Sequence, residues 1–419
     1  MRKISANINP KLLRISGPVN IIRLEGNVHG INKVIYLFMD YHMGVSNQTQ
    51  CANIFSQDVQ KYFVNSFYEL SKENNEKMYD FFLEIYPTEL SNRRRLLTDP
   101  VDYKDKYIEE VVKFFRRIFV YDAKNNKVEI SKLFKNIRLH YIDIRDYYKT
   151  NITEQVQEMS EIAHNFMAKD NIRLNQLERI IDLLYFMRRH LDFVVGVLSQ
   201  EISDEPPKKT LIRPPSTIID IDVLEYLAKK IKEKYKYPDV RREMNRLLNQ
   251  SLNNFMDTIT DIDAAISQFT EYADNIYNST NRLVYDENST YMYTYGLSIY
   301  TIRKMIVDIA NRVDKLIEEQ FIEYFARFID IYFLRRFLDK DYITNAITYT
   351  GGMHSNTYVY ELVKSFKFRI THVSYSKIAD LDELNEEIKN KSLMEIQELL
   401  LPPNLQQCSD MSHFPHNFL

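Results

Sequence analysis

The stretch Lys33-Val34-Ile35-Tyr36-Leu37-Phe38-Met39 decides the fold. After Lys33 every side chain is apolar or aromatic, so the segment has no face to offer water. A run of this kind and length reads as a strand buried on both sides, as in a parallel sheet covered by helices. Parallel neighbours need crossover connections, and the flanking sequence supplies them. Ser56 to Ser71 spaces Val59, Phe63, Phe67 and Leu70 by three and four, an amphipathic helix. Asp80 to Tyr86 is a second apolar strand, stopped by Pro87; Tyr107 to Phe119 reads as helix and Ile137 to Asp143 as a third strand. Strand, helix, strand, helix, strand is the order of an α/β unit.

From Asn151 the pattern turns to long helices. Asn151 and Glu154 have the form of a cap pair, and Leu177, Ile180, Ile181, Leu184, Leu191, Val194 and Leu198 keep helical spacing. Pro206, Pro207, Pro214 and Pro215 mark residues 204–217 as an extended linker. Helix resumes over Ile218 to Tyr235, Pro238 to Tyr277 and Leu297 to Leu338, the last with a coiled-coil-like seam of Ile302, Ile306, Ile309, Val313 and Leu316. The α/β pattern then returns: Asn345 to Thr350 as strand, Gly351-Gly352 as a tight turn, Asn356 to Phe366 as helix, Phe368 to Tyr375 as strand. Each piece alone has too few strands to close a core. The expected fold class is therefore α/β, a mostly parallel sheet assembled from N- and C-terminal segments with a large all-helical insertion. The division is 1–150 plus 340–385 for the discontinuous α/β domain, 151–339 for the helical insertion or cap, and 386–419 for a C-terminal tail.

Composition narrows the function classes. Hydrophobic residues make up 45% and charged residues 27% of 419, ordinary globular values. Net charge is −3 with both signs interspersed, so no field exists to gather a nucleic acid. The short run Arg93-Arg94-Arg95 reads as a solvated surface cluster. No apolar run approaches the ~18 residues of a membrane span, and no signal peptide follows Met1. Two cysteines, Cys51 and Cys408, lie too far apart in sequence to suggest a zinc ribbon or a disulfide framework, which points to a reducing compartment and a cytoplasmic protein. Phosphate-loop, dinucleotide, serine-elbow, zincin and CxxC motifs are all missing.

Two histidines stand in like positions. His42 follows the first strand in Met39-Asp40-Tyr41-His42, and His354 follows the later strand in Gly351-Gly352-Met353-His354. Side chains just beyond the carboxyl ends of parallel strands converge on one pocket even when remote in sequence. Asp40, Glu84 and Asp143 also sit at strand ends. Two imidazoles with such carboxylates suit a divalent metal of the Mn or Zn type that activates water. Without metal, one imidazole can act as general base with a carboxylate orienting it. A structural, hydrogen-bonded histidine is the plain alternative for each. Arg145, beside Asp143, could hold a substrate carboxylate or phosphate, or simply pair with Asp143 or Asp146. Cys51 reads as a small buried residue before it reads as a nucleophile. His140, His372 and the scattered tyrosines read as packing or surface groups.

These residues resemble the superfamily of TraB/TIKI-type proteins, ChaN-like proteins and erythromycin esterases, which carry Gly-x-x-His after the first strand, a glutamate after the next, and a second Gly-x-x-His near the C-terminus. Gly351 to His354 matches the last motif and Glu84 the glutamate; Met39 departs from the first, standing where glycine is expected. The resemblance implies hydrolysis, metal-dependent proteolysis in one branch and metal-free ester cleavage with a histidine base in the other. On that basis His42, Glu84 and His354 are the expected catalytic or metal-binding set, with Asp40 completing it and Arg145 and Asp143 meeting the substrate, an unspecified small molecule or peptide. Tyr41-His42, Gln50-Cys51 and Tyr349 to His354 also resemble proteins of giant DNA viruses, which implies infected-cell cytoplasm or virion. The alternative is a non-catalytic virion or interaction protein that keeps the fold, docks other virion proteins through its helices, or forms a homo-oligomer.

Overall fold

A computed structural model of the chain describes residues 13–45, 51, 56–72, 77–84, 107–119, 121–122, 127–128, 131–144, 153–199, 228–229, 231–280 and 297–418. The Arg93 to Arg95 run, Arg145 and the proline-rich segment 204–217 lie outside the described residues. The chain divides into two compact units. One holds 1–143, 236–240 and 332–419; the other holds 144–235 and 241–331.

The first unit is built on a six-stranded sheet. Its strands are β2 (Asn20–Val28), β3 (Ile31–Asp40), β5 (Tyr79–Leu83), β8 (Ile137–Tyr141), β9 (Asn345–Gly351) and β10 (Arg369–Val373), in the spatial order β10-β2-β3-β9-β5-β8. A smaller sheet joins β1 (Arg14–Ser16), β4 (Gln57–Asp58) and β11 (Cys408–Asp410), and β6 (Tyr121–Asp122) pairs with β7 (Lys127–Val128). Within the main sheet β3, β9, β5 and β8 run parallel, and β2 alone runs against them, antiparallel to β3 on one side and to the edge strand β10 on the other. β2 and β3 form a hairpin: Val28 pairs with Ile31, and the loop residues His29 and Gly30 both have positive φ, 53° and 81°. That is the backbone of a two-residue type I′ turn, whose twist matches the strands it joins. Asn27 Oδ1 accepts the Gly30 N–H at 2.9 Å and fixes it.

β3 behaves as its composition demands. Ile35, Leu37, Phe38 and Met39 are all 0% exposed. On one face of the sheet, α1 (Val59–Lys72) and α2 (Tyr107–Ile118) pack an aromatic core, with Phe63 against Phe38 at 4.7 Å and against Phe81 at 5.0 Å between ring centroids. Each fully buried ring of this kind stabilises the fold by ~1.5–3 kcal/mol. On the other face Phe333 meets Phe82 at 5.0 Å and Tyr358 at 4.3 Å. Phe333 belongs to α7 (Glu323–Asp339) and Tyr358 to α8 (Gly352–Phe366).

The second unit is helical: α3 (Thr153–Lys169), α4 (Leu174–Ser199), most of α5 (Pro238–Thr280), α6 (Ile299–Asp314), a π-helical stretch Lys315–Ile322 and the start of α7. Leu177, Ile180, Leu184, Leu191, Val194 and Leu198 are buried as their spacing requires, and so are Ile306, Ile309 and Val313. Among the described residues no helix is long and apolar enough to cross a membrane.

Three expectations need correction. Gly351-Gly352 is no turn: β9 ends at Gly351, which is the N-cap of α8, so strand passes straight into helix. Residues 386–419 hold more than a tail, with the end of α9 (Leu381–Asn390), then α10 (Leu393–Leu400), β11 and a 3-10 turn at His416–Phe418. Cys51 and Cys408 are joined by a disulfide with Cα atoms 4.9 Å apart. Sequence distance misled here, because β11 returns to pair with β1 beside β4 and so brings the chain's end back next to the segment after β3. Cys51 is therefore no free nucleophile.

His140 carries a further consequence. Its Nε2 lies 2.6 Å from Asp80 Oδ1, Arg138 holds Asp80 through two hydrogen bonds, and the imidazole stacks on Phe82 at 4.5 Å. Burial pushes the ring from 6.5 down to about 4, with Arg336 and Arg138 opposing a charge that Asp80 would favour. The folded state thus refuses a proton that the unfolded chain accepts. Stability is full above pH 6.5 and falls as pH drops toward about 4. The loss is on the order of 3 kcal/mol at about 1.4 kcal/mol per tenfold. His140→Gln should flatten that slope in denaturant titrations at stepped pH; an unchanged slope would assign the acid sensitivity elsewhere.

Candidate functional site

Three adjacent parallel strands end side by side. β9 lies between β3 and β5, with Phe38 and Leu83 both in register with Tyr349 and Asp40 opposite Gly351. His42 follows β3, Glu84 follows β5, and His354 sits in the first turn of α8 after β9. The sheet thus brings together residues separated by some three hundred positions.

Glu84 is the centre. His42 Nε2 stands 3.5 Å from its Oε2, His354 Nε2 stands 3.4 Å from its Oε1, and the Gly351 N–H donates to Oε2 at 2.7 Å. The Glu84 side chain is 2% exposed and that of His354 7%, while His42 is 33% exposed and meets solvent. Burial alone would raise the Glu84 carboxyl. Attraction to His354 and His42, with their hydrogen bonds, outweighs it and holds the group well below the usual carboxylate value. Glu84 is therefore an anion between two imidazoles.

Glycine at 351 is a spatial requirement. A Cβ there would lie 2.7 Å from His42 Nε2 and 3.3 Å from Glu84 Oε2, so any side chain would displace the pair. Because Gly351 has no side chain to cap α8, the first-turn N–H groups of that helix keep their partial positive charge beside the cluster.

Asp40 is fully enclosed. Its Oδ2 accepts the His42 N–H at 2.7 Å and its Oδ1 accepts the Tyr349 hydroxyl at 2.8 Å. Burial raises its carboxyl despite His42 and these hydrogen bonds. His42 itself has φ of 54°, a left-handed conformation that costs a non-glycine residue ~1 kcal/mol or more. Sequence reasoning missed Tyr349, which looked like one more apolar position in a strand. Asp143 is buried two residues past β8, one strand beyond Glu84. His372 lies on the edge strand β10, near His413 and Phe414.

Two imidazole nitrogens and a carboxylate are the donor types that suit Zn or Mn. The arrangement fits less well than the chemistry. Each ring faces a different oxygen of one carboxylate, and among the described residues no group of three or more His, Cys, Asp or Glu side chains is disposed to hold a metal ion. No step is therefore derived through a metal.

A covered α/β sheet interrupted by a helical block, with a His–Glu–His cluster across three strand ends, is the class of protein this structure defines. The chain belongs to the family of unknown function DUF5847, whose pattern matches residues 13–419. It is similar to uncharacterized protein R706 of Acanthamoeba polyphaga mimivirus, 55% identical over the whole of both chains. Uncharacterized proteins R161 and R160 of the same virus are 35% and 33% identical. The alignments cover 98% and 99% of this chain, and 99% and 100% of theirs. No solved structure matches.

Proposed function

We propose that this giant-virus-type protein is a hydrolase that cleaves an ester or amide bond with His42 as general base, in the manner of the esterase branch of the TraB/TIKI, ChaN and erythromycin-esterase superfamily that its motifs resemble. The observation that carries the reading is the placement of one ionised, buried carboxylate between two imidazoles, one of which meets solvent.

The roles follow from that geometry. With Glu84 held at Nε2 of His42, the ring's Nδ1 is the nitrogen that takes a proton from an attacking water. The hydroxide so formed adds to the substrate carbonyl. Glu84 stabilises the imidazolium, and the proton passes from His42 to the leaving oxygen or nitrogen. His354, on the other carboxylate oxygen, fixes Glu84 beside His42. The first turn of α8 turns its N–H dipoles toward the developing oxyanion. Separations of 3.4 and 3.5 Å are loose for hydrogen bonds, as is common before substrate closes a site. Asp143 and Arg145, placed by the sequence near the strand ends, remain the substrate-binding candidates of this reading.

A second reading is metal-dependent hydrolysis, because two imidazoles and a carboxylate are donor types that bind Zn or Mn. Metal analysis of the purified protein and of His354→Ala, alongside hydrolysis of generic ester and peptide substrates, distinguishes them. The proposal expects hydrolysis by the metal-stripped parent and its loss in His354→Ala. Stoichiometric metal that disappears in the variant would replace the base mechanism with a metal-dependent one. Equal, trace-level turnover in parent and variant would instead favour a non-catalytic protein that docks virion partners through its helices.

A further inference from the structure

We propose that Asp40 and Tyr349 form a brace that sets the direction of the His42 ring, acting as positioning residues for the cluster and never touching substrate themselves. The consequence for catalysis rests on the hydrolase reading; the brace as a mechanical device does not.

Asp40 is 0% exposed and both of its oxygens are committed, Oδ2 to the His42 N–H and Oδ1 to the Tyr349 hydroxyl. A carboxylate so enclosed offers no surface to a substrate arriving from solvent. What it does grip is the backbone of a residue in the left-handed region, His42 with φ of 54°. An L residue leaves that region unless something holds it there, and a short hydrogen bond to an acidic side chain two residues back is such a hold. The other end is anchored equally firmly. Tyr349 is 0% exposed and sits in mid-strand, in register with Phe38 of β3 on one side and Leu83 of β5 on the other.

The geometry of the ring depends on this hold. His42 must pass within reach of Glu84 and close over Gly351, where even a methyl group would collide with its Nε2. A turn free to relax to negative φ would swing the imidazole away from Glu84. The hydroxyl of Tyr349 thus links the centre of the sheet to the one imidazole of the cluster that meets solvent.

The test is the rate at which diethyl pyrocarbonate modifies each histidine, read residue by residue by mass spectrometry. Tyr349→Phe removes a single hydroxyl from the brace, and Asp40→Asn removes the charge while keeping the shape. In both variants His42 should react faster, by about fivefold for the loss of one hydrogen bond's worth of restraint. The exposed His416 should keep its parental rate. Parental reactivity of His42 in both variants would overturn the brace, and so would equal acceleration of every histidine, which marks general loosening. The reagent reads His42 without turnover. Absence of hydrolysis by the parent would therefore sink the functional reading alone, whereas an unmoved His42 with hydrolysis intact would sink the brace alone.

Discussion

Glu84→Gln is expected to lower the rate of hydrolysis by about two to four powers of ten, the range over which a positioned proton-transfer group acts. The substitution isolates charge from shape. Glutamine keeps an oxygen that can accept the Gly351 N–H and fills the same volume, so β5 and β9 should stay in register. What it lacks is the negative charge that stands between His42 and His354. In the transition state His42 has become an imidazolium, and only the anion stabilises it there. The loss should therefore fall on kcat with little change in KM. Steady-state kinetics with a chromogenic ester, with circular dichroism as the check on folding, gives the answer. A variant within about twofold of the parent would remove Glu84 from the chemistry, because a charge partner for a general base is worth far more than that.

How much of this was legible in the sequence depends on the range of the interaction. The burial of β3 was legible because composition alone states it: a run without polar residues has no water-facing side. The helical block was legible for the same kind of reason, since the spacing of Leu177 to Leu198 is a local property. The placing of His42, Glu84 and His354 at strand ends was legible too, and with it their convergence on one pocket. The strand order that makes them immediate neighbours was not, since it requires β9, late in the chain, to insert between β3 and β5, and strand order leaves no mark in local pattern. The β2–β3 hairpin went unread because His29-Gly30 stands where Asn-Gly would have announced a type I′ turn. Tyr349 hid behind its apolar ring, which packs near Phe63 like any core aromatic while the hydroxyl alone does the polar work. The Gly351-Gly352 pair pointed to a turn by habit of composition. In fact the first glycine is demanded by the crowding of His42 and Glu84, and the second by nothing tighter than Asp40 O at 3.6 Å.

The second large effect belongs to the disulfide. Removing it, as the double variant Cys51→Ser and Cys408→Ser, is expected to destabilise the α/β unit by up to about 5 kcal/mol, near the top of the range for a single link. The reason is the length of chain it closes. Cys51 and Cys408 are 357 positions apart, so the link removes much of the freedom of the unfolded chain. In the folded state the two residues already stand together, because β11 pairs with β1 and β1 with β4. The fold therefore does not need the bond to find its topology, and the variant should fold, only less stably. Such a bond forms and persists in an oxidising environment, whereas the sequence alone, with two distant cysteines, had suggested a reducing one. Denaturant unfolding of the parent with and without a dithiol reductant, set beside the double variant, tests the link. The reduced parent and the variant should share one midpoint well below that of the oxidised parent, and thiol titration of protein isolated without reductant should find both cysteines blocked. Two titratable thiols in that protein, together with a midpoint that reductant does not move, would mean that the native chain keeps these sulfurs adjacent and unjoined.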